Sequence, residues 1–335
     1  MIPFTNTFID IVGYCNAHCP YCNTSNNKMN KDSILTPKIF NAILDTLFQN
    51  NLIDHKSILH LYNWGEPFLH PQLHDIIHVL NQFDCKYAVS TNGSIIPKID
   101  KSFVKNLVSL SFSMPGFSQK SYDRIHALPF EKIRQNIIQI AQKIRRINYH
   151  NPVSILYHIY QFNLDEMKST EEFALKHGIQ FKPYFAILNN WHDLNAYVHG
   201  NLSYDTLMKV SEDLFSFDIR QKIKNNPPGY HCPQSQYLVL DEQGNVFPCC
   251  QVPKSKEFTC GNLMTDSIDS ILENRSNHPA CKDCLASGLA YYLNTSLTTP
   301  IFYNKNKINL FSFNNFHHVK NFLKRMSFLI HGKQI

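Results

Sequence analysis

Six short apolar runs alternate with segments whose apolar residues recur every three or four positions, and that alternation leaves few folds open to the chain. The strand-like runs cover 8–14, 57–63, 86–90, 109–113, 153–160 and 179–188. After the first, Thr36-Pro37 offers an N-cap followed by proline at the first helical position, and Ile39, Ile43, Leu44, Leu47 and Phe48 share one face of a helix reaching Asn50. The stretch 71–83 carries Leu73, Ile76, Ile77 and Leu80 at helical spacing, and 130–149 carries Ile133, Ile137, Ile140, Ala141 and Ile144. Asn163, with Glu166 three residues on, reads as a capping box for a helix to His177. Strand followed by helix, repeated six times, predicts parallel strands with helices outside. The turn signals and candidate polar groups all follow strand ends, where βα barrels place their sites. The fold class expected is therefore α/β: a partial (βα)6, TIM-like barrel, with a small cysteine-rich β-hairpin and helix module towards the C-terminus.

Cysteine placement narrows the chemistry. Cys15, Cys19 and Cys22 stand at C-x3-C-x2-C spacing on the loop leaving the first strand. A closed structural metal site takes four protein ligands, so three thiolates on one loop leave a coordination position open for chemistry. The same residues also fit half of a zinc site completed by a distant Cys or His, and His18 lies within the loop. A second group follows a helical pattern over 203–224 and a linker at 225–229: Cys232, the strand-like Tyr237-Leu238-Val239-Leu240, a turn at 241–245, Cys249-Cys250, Cys260, and the pair Cys281 and Cys284. A hairpin flanked by cysteines and answered by C-x2-C gathers four thiolates around one centre, which iron–sulfur and four-cysteine zinc satisfy equally. Cys260 reads as a free thiol and Cys85 as a small buried hydrophobe. His60, His70, His74 and His78 form no ligand-like cluster and read as surface or helix-face residues.

Ten cysteines in metal-like spacings point to a reducing compartment, and with no signal-peptide pattern a cytoplasmic location is expected. No apolar run approaches the roughly 18 residues of a membrane span. The formal net charge of +6 comes from scattered basic residues and gives no case for nucleic acid; it suits steering towards an acidic electron donor, or simply a solvated surface.

The cysteine loop, with Tyr21 just before its last cysteine, together with Trp64-Gly65-Glu66-Pro67 after the second strand, resembles the radical S-adenosylmethionine (SAM) enzymes. The resemblance implies that Cys15, Cys19 and Cys22 hold a [4Fe-4S] cluster whose fourth iron is chelated by SAM. It implies further that Gly65 and Glu66 belong to the turn receiving the SAM amino group, with Trp64 replacing the family's first glycine. Tyr21 is expected near the adenine, and Ser90, Asn92 and Ser113, at the ends of the third and fourth strands, near the ribose and carboxylate. The second cysteine group resembles the SPASM and twitch extensions of that family. It implies an auxiliary [4Fe-4S] cluster on Cys232, Cys249, Cys281 and Cys284, with Cys250 competing for the place of Cys249.

The resemblance implies a one-electron donor such as a flavodoxin or ferredoxin, and cleavage of SAM to a 5′-deoxyadenosyl radical. Two-electron oxidation of a small molecule such as a sugar or cyclitol is the expected reaction, since no peptide-recognition segment precedes Phe8. Maturation of a ribosomal peptide or protein side chain is the alternative, and a non-enzymatic metal-binding protein a third. No catalytic acid or base stands out; Asp123 and Arg124 fit either the barrel mouth or a salt-bridged helix start. The organisation expected is a barrel over 1–225, a cysteine module over 226–290 and an extension over 291–335 with a packed helix from Phe316 to Ile330.

Overall fold

Parallel pairing dominates the computed structural model, which describes residues 2–24, 30, 32–147, 149–214, 219 and 223–296. The strands are β1 Asn6–Ile9, β2 Ile58–His60, β3 Lys86–Thr91, β4 Leu107–Met114, β5 Val153–Ile159 and β6 Gln180–Phe185, each parallel to the next. These form the partial barrel. On the other side of β1 the sheet continues through β7 Tyr237–Leu240, β8 Asn245–Phe247 and β9 Gly261–Asn262, giving nine strands in the order β6-β5-β4-β3-β2-β1-β7-β8-β9. β7 lies parallel to β1 with Asn6 opposite Tyr237 and Ile9 opposite Leu240, whereas β8 and β9 run antiparallel.

Helix α1, Pro37–Gln49, starts as its sequence predicts: the Thr36 side chain accepts from the Ile39 N–H, and Phe40, Ile43, Leu44 and Leu47 are buried. α2 spans Leu73–Gln82, α3 Lys101–Val104, α4 Gln119–Ile125, α5 Phe130–Arg146, α6 Met167–Lys176, α7 Trp191–Val198 and α8 Tyr204–Asp213. The apolar stripe of α5 buries Ile133, Ile137, Ile140 and Ile144, and Asn136 on the same face donates to the carbonyls of Gly93 and Ser94 (2.9 and 3.1 Å). That pair of bonds fixes the loop leaving β3. In the last part of the chain α9 Ile268–Ser276, α10 Pro279–Ala286 and α11 Leu289–Ser296 cover the hairpin. The helix expected from Phe316 to Ile330 lies outside the described residues.

Several expectations need correction. The first strand ends at Ile9 rather than Tyr14; beyond it only Val12 forms an isolated bridge, to Ile34. At the next residue the Asp10 carboxylate is engaged by the backbone of the loop after β2. Asn163 and Glu166 form no capping box. The Asn163 amide donates to Pro115 O (2.6 Å) and His158 O (2.9 Å) and accepts from Tyr160 N (2.9 Å), while the Glu166 carboxylate takes the hydroxyls of Ser118 and Ser121 and the N–H of Phe117. Both side chains secure the exit of β4. The helix expected over 203–224 stops at Asp213, where Leu214 turns extended and Gln161 takes the Asp213 and Leu214 carbonyls. His70 is buried with Nε2 against the Leu35 carbonyl (2.8 Å), and His60 stacks on Phe8 with ring centroids 4.3 Å apart, so neither is a surface residue.

Three histidines are kept neutral inside the fold. Burial pushes His60 down to about 4, and burial with neighbouring His158 pushes His126 down to about 3. His158 is lowered by burial to about 4. Because the folded values lie below the ordinary value near 6.5, their contribution is fully present above that pH and is lost as pH falls towards 4. The thermal midpoint of the apoprotein is therefore expected to drop between about pH 6.5 and 4, less steeply in His126→Gln; a flat wild-type profile over that window would contradict this.

Candidate active site

The loop leaving β1 carries the first three cysteines. A tight turn is closed by the Cys22 N–H on the Cys19 carbonyl (3.1 Å), the Ala17 N–H points at Cys15 Sγ (3.4 Å), and Asn92 Nδ2 approaches the same sulfur (3.6 Å). Burial, then Glu66, pushes the Cys15 thiol up to about 12; burial, then Cys22 and Cys15, raises Cys19 well above its ordinary value, and burial raises Cys22. The three thiols thus lie within one another's electrostatic reach in a site where bare thiolates are disfavoured. Iron in place of the protons removes that penalty, so these residues fit a cluster. Among the described residues no three His, Cys, Asp or Glu side chains converge on a single ion; thiolates on a cubane each occupy a different iron and need no such convergence.

Against this loop lies the turn after β2. Asp10 is 1% exposed, and its Oδ1 accepts from three successive backbone N–H groups, Asn63 (2.8 Å), Trp64 (3.0 Å) and Gly65 (2.9 Å). A Cβ on Gly65 would sit 1.8 Å from the Val12 carbonyl oxygen, so only glycine lets the two loops meet. The Glu66 N–H closes the contact on the Tyr14 carbonyl (3.0 Å). The Glu66 carboxylate, assigned from sequence to cofactor binding, turns inward, accepting from Phe68 N (3.0 Å), Thr91 Oγ1 (2.6 Å) and Asn92 N (2.7 Å). Burial outweighs these bonds and raises its pKa to about 7. Its visible work is to tie the turn to the end of β3.

The other sequence-predicted residues divide. Asn92 reaches the cysteine loop, donating to Asn16 Oδ1 (2.9 Å) as well as towards Cys15. Ser90 sits opposite Ser111 in the β3–β4 ladder, and Ser113 Oγ lies 3.2 Å from His158 Nε2; neither is hydrogen-bonded to the cysteine loop among the described residues. Tyr21 is buried, its ring 6.3 Å from that of Tyr160, and its hydroxyl donates to Asp213, which also pairs with Arg124. Arg124 lies 4.6 Å over the Phe162 ring, so its charge is spent on this anchor, and Asp123 holds Gln119 (2.7 Å). Sequence reasoning missed Asp10 and its cation Lys254, whose Nζ is 3.3 Å from Asp10 Oδ2 and 3.1 Å from Glu242 Oε2. A carboxylate inside the apolar run Phe8 to Val12 was the available signal.

The second cysteine group forms around the hairpin. Cys232 precedes β7, Cys249 and Cys250 follow β8, and Cys281 and Cys284, three residues apart on α10, share a helix face. Burial raises Cys249 well above its ordinary value, with Cys250, Cys281 and Cys284 adding, and raises Cys284, with Cys232 and Cys281 adding. Cys250 Sγ bonds Gln234 Oε1 (3.2 Å), and Asn294 Nδ2 approaches Cys232 Sγ (3.6 Å). Cys260 is buried with its thiol towards the Phe258 carbonyl (3.9 Å), and Cys85 is buried in the barrel core, as expected of a small hydrophobe. Inside the barrel, His60 Nδ1 meets the Tyr62 hydroxyl (3.3 Å), and the His158 and Tyr184 rings stand 4.8 Å apart. Burial, with Cys250 adding, pushes Tyr62 up to about 12, so its hydroxyl stays neutral. Since the neighbour of Gly65 is backbone, Gly65→Ala is expected to destabilise the protein by about 2 kcal/mol in denaturant unfolding; unchanged stability would contradict the tight contact.

Residues 9–174 match the Radical SAM superfamily. The antilisterial bacteriocin subtilosin biosynthesis protein AlbA of Bacillus subtilis is 22% identical over 297 residues, 83% of this chain and 61% of AlbA. A UPF0026 protein of Helicobacter pylori is 28% identical over 138 residues, 38% of this chain and 44% of that protein. The chain thus spans roughly half of the curated relatives it matches. Among solved structures, anSMEcpe with bound AdoMet superposes with a TM-score of 0.55 at 13% identity, over 96% of this chain and 99% of that one. Streptococcus suis SuiB bound to precursor peptide SuiA gives 0.53 at 14% identity, over 83% and 66%. With the cysteine loop, the glycine turn and the parallel sheet in the arrangement described, residues 9–174 are a radical SAM domain.

Proposed function

We propose that the chain is a radical SAM enzyme that oxidises a side chain of a peptide or protein, with a second cluster in its C-terminal cysteine group. The observation that carries the reading is that two separate thiol groups, Cys15/Cys19/Cys22 on the loop leaving β1 and Cys232/Cys249/Cys281/Cys284 around the β7–β8 hairpin and on α10, are attached to one continuous sheet. Cys249 takes the fourth place in the second group because it shares electrostatic reach with Cys281 and Cys284, while Cys250 is occupied by Gln234. A peptide substrate is supported over a sugar or cyclitol by the relatives: SuiB was solved bound to precursor peptide SuiA, and AlbA is a bacteriocin biosynthesis protein.

The chemistry that the first cluster and SAM supply when bound is hydrogen-atom abstraction by a 5′-deoxyadenosyl radical. The chain's own residues prepare the site for it. Asp10 and Glu66 fix the backbone of the Trp64–Pro67 turn, leaving its remaining polar groups to receive the SAM amino group, and Asn92 spans from the turn to the cysteine loop. His158, kept neutral by burial and partnered by Ser113, is a base available to a proton leaving the oxidised substrate. Tyr62, Tyr184 and His60 give a neutral lining, which accepts an uncharged side chain and penalises an unpaired charge. A flavodoxin or ferredoxin is the proposed electron donor; among the described residues no helix is long and apolar enough to cross a membrane.

Anaerobically reconstituted protein, given SAM, a one-electron reductant and a short precursor peptide encoded beside its gene, is expected to release 5′-deoxyadenosine and a peptide lighter by two hydrogens. Oxidation of a sugar or cyclitol with the peptide untouched would overturn the substrate assignment. Absence of 5′-deoxyadenosine would overturn the enzymatic reading.

A further inference from the structure

Immediately after Cys249 and Cys250, the chain crosses back over both halves of the first site. The Gln251 carbonyl accepts from Asn23 Nδ2 (2.8 Å), one residue beyond Cys22, and Asn23 Oδ1 in turn accepts from Trp191 N (3.0 Å). The Val252 carbonyl accepts from the indole N–H of Trp64 (3.1 Å), the residue that stands in place of the family's first glycine. Two residues later the Lys254 side chain, 13% exposed, enters between Asp10 Oδ2 (3.3 Å) and Glu242 Oε2 (3.1 Å). Burial penalises its ammonium, yet Asp10 and Glu242 keep it charged. Glu242, in the β7–β8 turn, also takes the Ser33 hydroxyl, so the tip of the hairpin is seated on the loop after the first cysteines.

We propose that Lys254 is a positioning residue of the SAM site: the strap Gln251–Lys254 sets the shape of the Trp64–Pro67 turn from the C-terminal module, through Asp10. The physical argument is one of compensation. Asp10 holds three turn N–H groups on Oδ1 while buried at 1% exposure, and Lys254 is the cation that balances it. Without that cation the buried carboxylate loses its counter-ion, and any displacement of it withdraws an acceptor from the turn. Trp64 adds a second, uncharged tie between the same turn and the same strap. The strap does not touch the reacting atoms; it acts on a backbone that does.

This inference rests on reading the Trp64–Pro67 turn as the SAM turn, and the test separates the two. SAM binding is measured by equilibrium dialysis on anaerobically reconstituted full-length wild type, Lys254→Met and Lys254→Arg. The electron paramagnetic resonance (EPR) spectrum of the reduced first cluster is recorded with and without SAM. Wild type is expected to bind, Lys254→Met to bind about tenfold more weakly with an unchanged SAM-free spectrum, and Lys254→Arg to recover most of the loss. Equal affinity in wild type and Lys254→Met overturns the inference. No binding by wild type overturns the reading of the turn instead. Should Lys254→Met fail to fold, Trp64→Phe, which removes the indole N–H together with part of the ring, is expected to weaken SAM several-fold; unchanged affinity there also overturns it.

Discussion

The parallel pairing of β7 with β1 is the constraint on which the rest depends. It joins the strand that delivers the first cysteines to the strand that carries the second group, residue for residue from Asn6 opposite Tyr237 to Ile9 opposite Leu240. One more bond, from Asp10 N to the Leu240 carbonyl (3.0 Å), extends the register to the point where the two loops part. From there β1 runs into the cysteine loop and β7 into the turn that bears Glu242. Parallel neighbours need a long crossover, and here the rest of the barrel serves as it. The C-terminal module is therefore built onto the sheet edge that β1 would otherwise expose.

Three buried carboxylates show how the site holds charge inside the fold. Asp10 has three backbone donors and a lysine, Asp213 has a tyrosine hydroxyl and an arginine, and Glu66 has three donors and no cation in direct contact. Burial raises the pKa of Glu66 to about 7. Each joins segments remote in sequence: β1 to the β2 turn, the cysteine loop to the end of α8, the β2 turn to the end of β3. Breaking such a buried pair by removing one partner costs about 3–5 kcal/mol, far more than a surface pair contributes. The first site is thus held by electrostatics that span the fold, while the apolar faces of α1, α2 and α5 hold the sheet beneath it.

Local pattern made the strands and long helices legible, because period-two and period-3.6 spacing survive in any context. Thr36-Pro37 also acted through its immediate neighbours. The short helices α4 and α7 carried signals of their own in Ser118 and Asn190, each accepting from the N–H three residues on. Asn163 and Glu166 carried a false one, since side chains that match a cap locally were claimed by the β4 exit. Tyr21 with Asp213, and Asp10 with Lys254, are pairs between distant segments, and nothing in a single sequence names the partner. The edge to which β7 attaches was hidden for the same reason.

The central claim is that one sheet carries two cluster sites, and iron and labile sulfide per chain test it most directly. After anaerobic reconstitution, wild type is expected to hold about eight irons, and the Cys15/Cys19/Cys22→Ala variant about four. About four irons in wild type falling to none in the variant would contradict the second cluster. Stoichiometric zinc without iron would contradict both.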